Sequence, residues 1–233
     1  MTRLEQSRVL VVGATGALGS LIAERLEDRG ARVVRHGRDE GRLEDRAADG
    51  GGIAVDLTDE DAPEVIVARA VEQLGGLDVI VFAAGVVGFD TVAETAEQDL
   101  ETLFTVNALA PMRIVSVALP ALRESADAGN EPVVLTLSGI VSELPTAGLA
   151  SYSASKAALA AYIAAAGREL RRSGIRLVDA RPGHIETGLA DRPLFGTAPR
   201  FPHGHDPAAV ADRLVQAIED GTTALPPDAF SGS

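Results

Sequence analysis

Short apolar runs alternate along the chain with longer stretches in which apolar residues recur every three or four positions. That is the signature of strands alternating with amphipathic helices. Residues 8–12 (RVLVV) read as a first strand, followed by a helix over 17–29. Residues 31–36 read as a second strand with a short polar helix after it, and 53–57 as a third. A helix is predicted over 58–75, with Thr58 or Asp59 as its cap. Residues 77–85 (LDVIVFAAG) are apolar throughout, as befits a fourth strand buried on both faces. A long helical region over 97–125 is expected to bend near Pro111. Residues 132–138 give a fifth strand, 151–173 an alanine-rich helix stopping at Gly174, and 175–183 a sixth strand. A last helix over 207–220 and a short seventh strand over 222–225 complete the pattern.

This alternation predicts one α/β domain over residues 1–233. Its fold would be a Rossmann-like, doubly wound parallel sheet of about seven strands, with helices on both faces and right-handed crossovers. The most irregular stretch, 196–206 (GTAPRFPHGHD), lies in a substrate loop at about 188–206 and is a candidate lid. The tail PPDAFSGS reads as an edge or a frayed terminus.

Hydrophobic residues make up 46% of the chain and aromatics only 3%, so the core must be built of Ala, Val, Leu and Ile. The formal charge of −13 argues against binding to nucleic acid or an anionic membrane. There is no cysteine, hence no disulfide, thiolate metal site or thiol nucleophile. The polar start, with no signal-peptide pattern and no long uninterrupted apolar run, leads us to expect a cytoplasmic protein.

The first strand ends in GATGALG, with Gly13, Gly16 and Gly19 opening the first helix. In that setting the backbone of Gly13, Thr15, Gly16, Ala17, Leu18 and Gly19 can approach a pyrophosphate at a helix N-terminus. An ordinary tight turn is the plain alternative. The residue after the second strand distinguishes the nicotinamide cofactors: an acid suits a ribose hydroxyl, an arginine a 2′-phosphate. Arg38 stands there, with Arg35 and His36 nearby, so NADP(H) is expected over NAD(H), unless Arg38 merely pairs with Asp39 or Glu40. Asp56, with Leu57 beside it, is placed to hold the adenine. Ala83, Ala84 and Gly85 leave room for the adenosine ribose.

Tyr152 and Lys156 are four residues apart and share a helix face. A tyrosine titrates near about 10. A neighbouring ammonium would favour its phenolate and turn it into an acid/base group for chemistry in which a cofactor carries hydride. On an isolated helix such a pair is usually just solvated.

Taken together, GATGALG, Ala83-Ala84-Gly85, Asn107, Ser138, Tyr152/Lys156 and Pro182-Gly183 with Thr187 follow the order and spacing of the short-chain dehydrogenases/reductases. The chain resembles that family over nearly its whole length. The resemblance implies Tyr152 as general acid/base, with Lys156 lowering its pKa and holding the nicotinamide ribose. Ser138 would bond the substrate oxygen, and Asn107 would hold a water in a proton relay. Pro182, Gly183, Ile185 and Thr187 would sit around the nicotinamide. Asn107 could instead be a kink residue bonding its own helix, and Thr187 a helix cap. The resemblance also implies a homodimer or homotetramer built on the long helices, where alanines 157–166 would allow close packing.

Two features depart from the family. Its shorter members space the first two glycines one residue further apart. They also place the serine about thirteen residues before the tyrosine, where this chain has Gly139. Ser138 lies one residue earlier, and a one-residue difference in the intervening loop would bring it into place, so it is preferred; Ser142, closer to Tyr152, and no catalytic serine at all are the alternatives. His203 and His205 suggest a metal only weakly, so no metal is expected. His184 follows the Pro-Gly pair and is placed either toward the substrate or in a turn. Val86, Val87, Phe89, Leu144, Leu194, Phe195 and Phe201 can line an apolar pocket or simply pack.

The sequence therefore predicts an NADP(H)-dependent enzyme interconverting a small carbonyl compound and its alcohol. The alternatives are a cofactor-binding sensor with little turnover and a related epimerising or dehydrating enzyme.

Overall fold

The computed structural model describes residues 2–44 and 52–232. Its strands are β1 (Arg8–Val12), β2 (Arg32–Gly37), β3 (Gly52–Ala54), β4 (Val79–Phe82), β5 (Val133–Leu137), β6 (Arg176–Ala180) and β7 (Ala224–Leu225). They form one sheet in the order β3-β2-β1-β4-β5-β6-β7, and every neighbouring pair is parallel. The helices are α1 (Ala17–Glu27), α2 (Glu40–Glu44), α3 (Ala62–Leu74), α4 (Glu97–Phe104), α5 (Ala110–Asp127), α6 (Ala150–Leu170) and α7 (Pro207–Glu219).

Strand side chains alternate between faces, and β1 shows what this does here. Val9 and Val11 join the core beneath α1 and α7, whereas Leu10 and Val12 join the core beneath α3, α5 and α6. All four are fully buried, so the strand is apolar on both sides. Helix α1 packs on α7, tied at its rim by Arg25 to Asp212 at 2.8 Å. The chain winds outward from β1 to β3 and then returns to the other side of β1 with β4. The crevice between the carboxyl ends of β1 and β4 is therefore the topological switch point, where such sheets take ligands.

Several predicted boundaries move, each for a local reason. The third strand is only Gly52–Ala54, and Asp56 turns the chain by accepting from the Thr58 amide at 2.9 Å and its hydroxyl at 2.8 Å. Thr58 and Asp59 consequently do not cap α3, which starts after Asp61 with Pro63 in its first turn. The bend expected near Pro111 takes the form of a π-helical segment, Thr105–Leu109, between α4 and α5. Pro111 has no N–H to give the carbonyl four residues back, which removes one rung of the α-helical ladder beside this segment.

The whole run Glu97–Asp127 is long and apolar enough by composition to cross a bilayer, contrary to expectation, but half of its most apolar window is buried inside the fold. The tail is not frayed through Phe230: Pro227–Phe230 makes a 3-10 turn that buries the Phe230 ring against the α7 side of the core.

Candidate active site

The glycine turn closes on the ends of β2 and β4. The amides of Gly13 and Ala14 both donate to the His36 carbonyl, at 3.0 and 2.8 Å. Gly13 has φ +86°, and a Cβ there would lie 2.5 Å from the Ala84 nitrogen. A Cβ on Gly19 would run into the Gly13 carbonyl. Both positions thus require glycine. Gly16 precedes α1 without any side-chain cap, and the first turn holds no acid, so its amides are open to an anion. Thr15 stands over the end of β2, Ala17 is exposed, and Leu18 turns its side chain into the core.

At the end of β2 the three basic candidates separate. Arg35 is buried and paired with Glu27 at 2.8 Å, pointing back toward α1. His36 is buried with Nε2 bonded to the Val55 carbonyl at 3.0 Å, and burial pushes its pKa down to about 4. It is therefore neutral near pH 7. Arg38 is exposed and makes no ion pair with any described residue; neither Asp39 nor Glu40 takes it. Asp56 faces the same region. Burial pulls its carboxyl upward, but the Thr58 bonds and the charge of Arg38 hold it below its usual range. Leu57 is buried beside it.

Beyond β4, the Ala83 amide donates to the Val12 carbonyl at 2.8 Å and Ala84 packs against Gly13. Gly85 follows, and the next residue is clamped by Asn107. The Asn107 side chain accepts from the Val86 amide at 3.0 Å and donates to its carbonyl at 2.9 Å and to the Ser155 hydroxyl at 3.1 Å. Asn107 thus bonds across to the strand end and to α6 and not to its own helix. A Cβ on Gly85 would lie 3.4 Å from both Asn107 Oδ1 and Lys156 Nζ, so this glycine is the point where those two groups converge.

Helix α6 carries Tyr152 and Lys156 on one face. Lys156 Nζ donates to the Leu137 carbonyl at 2.9 Å and lies 5.9 Å from the centre of the Tyr152 ring. Burial lowers the ammonium to about 8, against a smaller upward pull from Asp179. Burial of the phenol pushes Tyr152 up to about 12. Its ring packs against a cluster of Val87, Phe89 and Leu149, which Val141, Leu189, Ala190 and Ala198 also border. Phe195 lies over Gly88, and Leu194 and Phe201 are exposed.

The two serines differ sharply. Ser138 is fully buried and its hydroxyl donates to Asp179 on β6 at 2.8 Å. Ser142, on a 3-10 turn (Ile140–Ser142), is half-buried; its hydroxyl donates to the Gly139 carbonyl at 2.7 Å and lies 3.2 Å from Ser138 Oγ. Asp179 was not singled out by sequence reasoning, although a carboxylate among the apolar residues Leu177, Val178 and Ala180 of β6 is itself a signal. Its neighbour Arg181 places Nε 3.0 Å from Asp179 Oδ2 and pairs with Glu143.

After β6 the chain folds back over the site. The Pro182 carbonyl accepts from the Ile140 amide at 2.9 Å, and Gly183 lies against the His205 ring. Ile185 pairs with His205 as a parallel bridge. Thr187 has its hydroxyl 3.5 Å from the Ile185 carbonyl and caps no helix, since residues 188–206 form none. The loop is pinned here: Glu186 accepts from the Gly204 amide at 2.7 Å, and His184 stacks on Phe201 with ring centres 4.9 Å apart. Between them is a cleft of about 190 Å³ lined by His184, Glu186, Gly188, Ala198, Phe201 and Pro202.

A glycine cradle at the switch point, with a Tyr–Lys pair at its far end, defines a nicotinamide-dependent oxidoreductase. The chain belongs to the short-chain dehydrogenase family, whose model matches residues 7–193. It is 26% identical over 222 residues to the 3-oxoacyl-(acyl-carrier-protein) reductase of Vibrio cholerae, covering 91% of this chain and 89% of that protein. The fold superposes with a TM-score of 0.85 on the 3-ketoacyl-(acyl-carrier-protein) reductase of Brucella melitensis complexed with NADH. That match is 23% identical over 96% of this chain and 97% of the other. A short-chain dehydrogenase of Burkholderia cenocepacia in complex with NADP gives 0.80 at 24% identity, over 97% and 89%.

Proposed function

We propose that this NAD(P)-dependent oxidoreductase interconverts a small carbonyl compound and its alcohol, with NADP(H) preferred. The observation that carries the reading is the convergence of Asn107 and Lys156 on Gly85, beyond a turn in which Gly13 and Gly19 leave no room for a Cβ. Gly13, Thr15, Gly16, Ala17, Leu18 and Gly19 would receive the pyrophosphate, Asp56 and Leu57 the adenine, and Ala83, Ala84 and Gly85 the ribose. Pro182, Gly183, Ile185 and Thr187 would flank the nicotinamide, which supplies or takes the hydride.

Tyr152 gives the proton to the substrate oxygen during reduction and takes it back during oxidation. A phenol that retains its proton suits the first role. Lys156 holds the ribose with the N–H groups not spent on Leu137 and passes protons onward. Asn107 fixes the strand end that faces it. A hydroxyl of the Ser138–Ser142 pair meets the substrate oxygen. The preference for NADP(H) is supported by Arg38, which forms no ion pair with any described residue, and by a second strand that ends His36-Gly37, with no carboxylate there for a ribose hydroxyl. The exposed Ala161, Ala164 and Ala165 on α6 support a homodimer or homotetramer.

The test is cofactor oxidation across a panel of aldehydes, ketones and quinones with NADPH and NADH, alongside Tyr152→Phe and a separate measurement of cofactor binding. Turnover preferring NADPH and lost in the variant is the expected result. Tight NADPH binding without turnover on any carbonyl would overturn it in favour of a sensor.

A further inference from the structure

We propose that Ser142 is the hydroxyl that meets the substrate oxygen, and that Asp179 is a positioning residue that acts on it through Ser138. This rests on the carbonyl–alcohol reading above. Gly139, thirteen residues before Tyr152, brings no side chain to the site. Ser138 is sealed off at zero exposure, with its proton committed to Asp179. Ser142 is the next oxygen outward, on the turn whose Val141 packs in the same cluster as Tyr152. The three groups form a chain from the interior of β6 to the edge of the site.

A hydroxyl has one proton, so the chain has a direction. While Asp179 is ionised, Ser138 must donate to it and leaves a lone pair facing Ser142. The Ser142 proton is then drawn inward, to Ser138 or the Gly139 carbonyl. Only Ser142 lone pairs face the substrate, which suits an alcohol O–H. When Asp179 is protonated, it donates to Ser138 and Ser138 donates to Ser142, so Ser138 no longer accepts from Ser142; the Ser142 proton then has only the Gly139 carbonyl to leave in order to reach a substrate carbonyl oxygen. No atom is exchanged with solvent except the one proton on Asp179. The protonation of a buried carboxyl thereby selects which of the two substrates the site recognises.

The groups around Asp179 define where this happens. Lys156 faces it from α6, and Thr136 on β5 donates at 3.3 Å. Arg181 approaches at 3.0 Å, but its N–H does not point along that line, and its charge is shared with Glu143. Burial raises the carboxyl, while the Ser138 and Thr136 bonds and Lys156 pull it back; the net displacement is upward.

The experiment is kcat/KM against pH for carbonyl reduction and alcohol oxidation in the wild type, Ser142→Ala, Ser138→Ala and Asp179→Asn. Ser142→Ala is expected to lower reduction by about a hundred- to a thousandfold, as for a lost oxyanion donor. In the wild type, reduction falls and oxidation rises through one ionisation that is missing from both Asp179→Asn and Ser138→Ala. Ser138→Ala carries the test if Asp179→Asn does not fold, since it cuts the link and leaves the carboxyl in place. Wild-type-like activity in Ser142→Ala with loss of the Tyr152→Phe activity overturns this proposal alone. An unchanged pH profile in both Asp179→Asn and Ser138→Ala overturns the role of Asp179. No turnover by the wild type on any carbonyl overturns the underlying reading and this one with it.

Discussion

The side chain of Asn107 takes both backbone polar groups of Val86, accepting from its amide at 3.0 Å and donating to its carbonyl at 2.9 Å. An amide side chain thus imitates a neighbouring strand at the point where β4 has left the sheet. Because both Val86 groups lie in a site that also holds Lys156, their alignment is coupled to the chemistry.

Asn107→Ala leaves both polar groups of the half-buried Val86 without that partner, at a cost of about 1–3 kcal/mol in all. Urea denaturation is expected to show a loss in that range. Asn107→Asp is expected to be milder at high pH only in part, since a carboxylate accepts from the Val86 amide but cannot donate to its carbonyl.

His36 predicts an acid-sensitive fold. Its pKa, about 4 in the folded chain, lies below the ordinary value of 6.5. Its contribution is therefore fully present above about pH 6.5 and is lost as pH falls toward 4, because the unfolded chain binds the proton first. The loss should be on the order of 3 kcal/mol at most, from about 1.4 kcal/mol per pH unit. Denaturation curves from pH 7 to 4 should show this decline in the wild type and a flatter one in His36→Gln. An equal decline in the variant would assign it to other groups.

Arg38→Ala should reduce NADPH affinity by about ten- to a hundredfold, the scale of a charge-assisted hydrogen bond, and leave NADH affinity nearly unchanged. Fluorescence titration with both cofactors reads this directly. Equal losses for the two would place Arg38 away from the 2′-phosphate.

Glu186 latches the loop through the Gly204 amide, and that bond holds its carboxyl below its usual range. The contribution is present above the unfolded carboxyl's pKa and is lost only as pH falls through the depressed value. Hydrogen exchange of residues 200–206 should therefore quicken in Glu186→Ala at neutral pH. The wild type should show the same quickening only in acid.

Much of this was legible beforehand because the signals were local. RVLVV gives β1 at its full observed length, and the spacing of Gly13, Gly16 and Gly19 needs only the turn they make. Tyr152 and Lys156 share a face by helix geometry alone. What failed to show depended on partners remote in sequence. The Ser138 hydroxyl looked available until Asp179, 41 residues later, was brought beside it by the β5–β6 pairing. The partner of Asn107 lies 21 residues earlier on another element. The sign of the Tyr152 shift depends on how deeply the ring is enclosed, which no spacing encodes.

The packing of α1 on α7 has a consequence for synthesis. The apolar face of the first helix is covered by the last, and the Arg25–Asp212 contact spans 187 residues. During translation Leu18, Ile22 and Leu26 must wait for Val210, Leu214 and Ile218 to emerge from the ribosome. For most of that time the nascent chain displays a greasy stripe near its leading end. A holdase that shields such stripes should bind ribosome-stalled chains ending before residue 207 and release full-length ones.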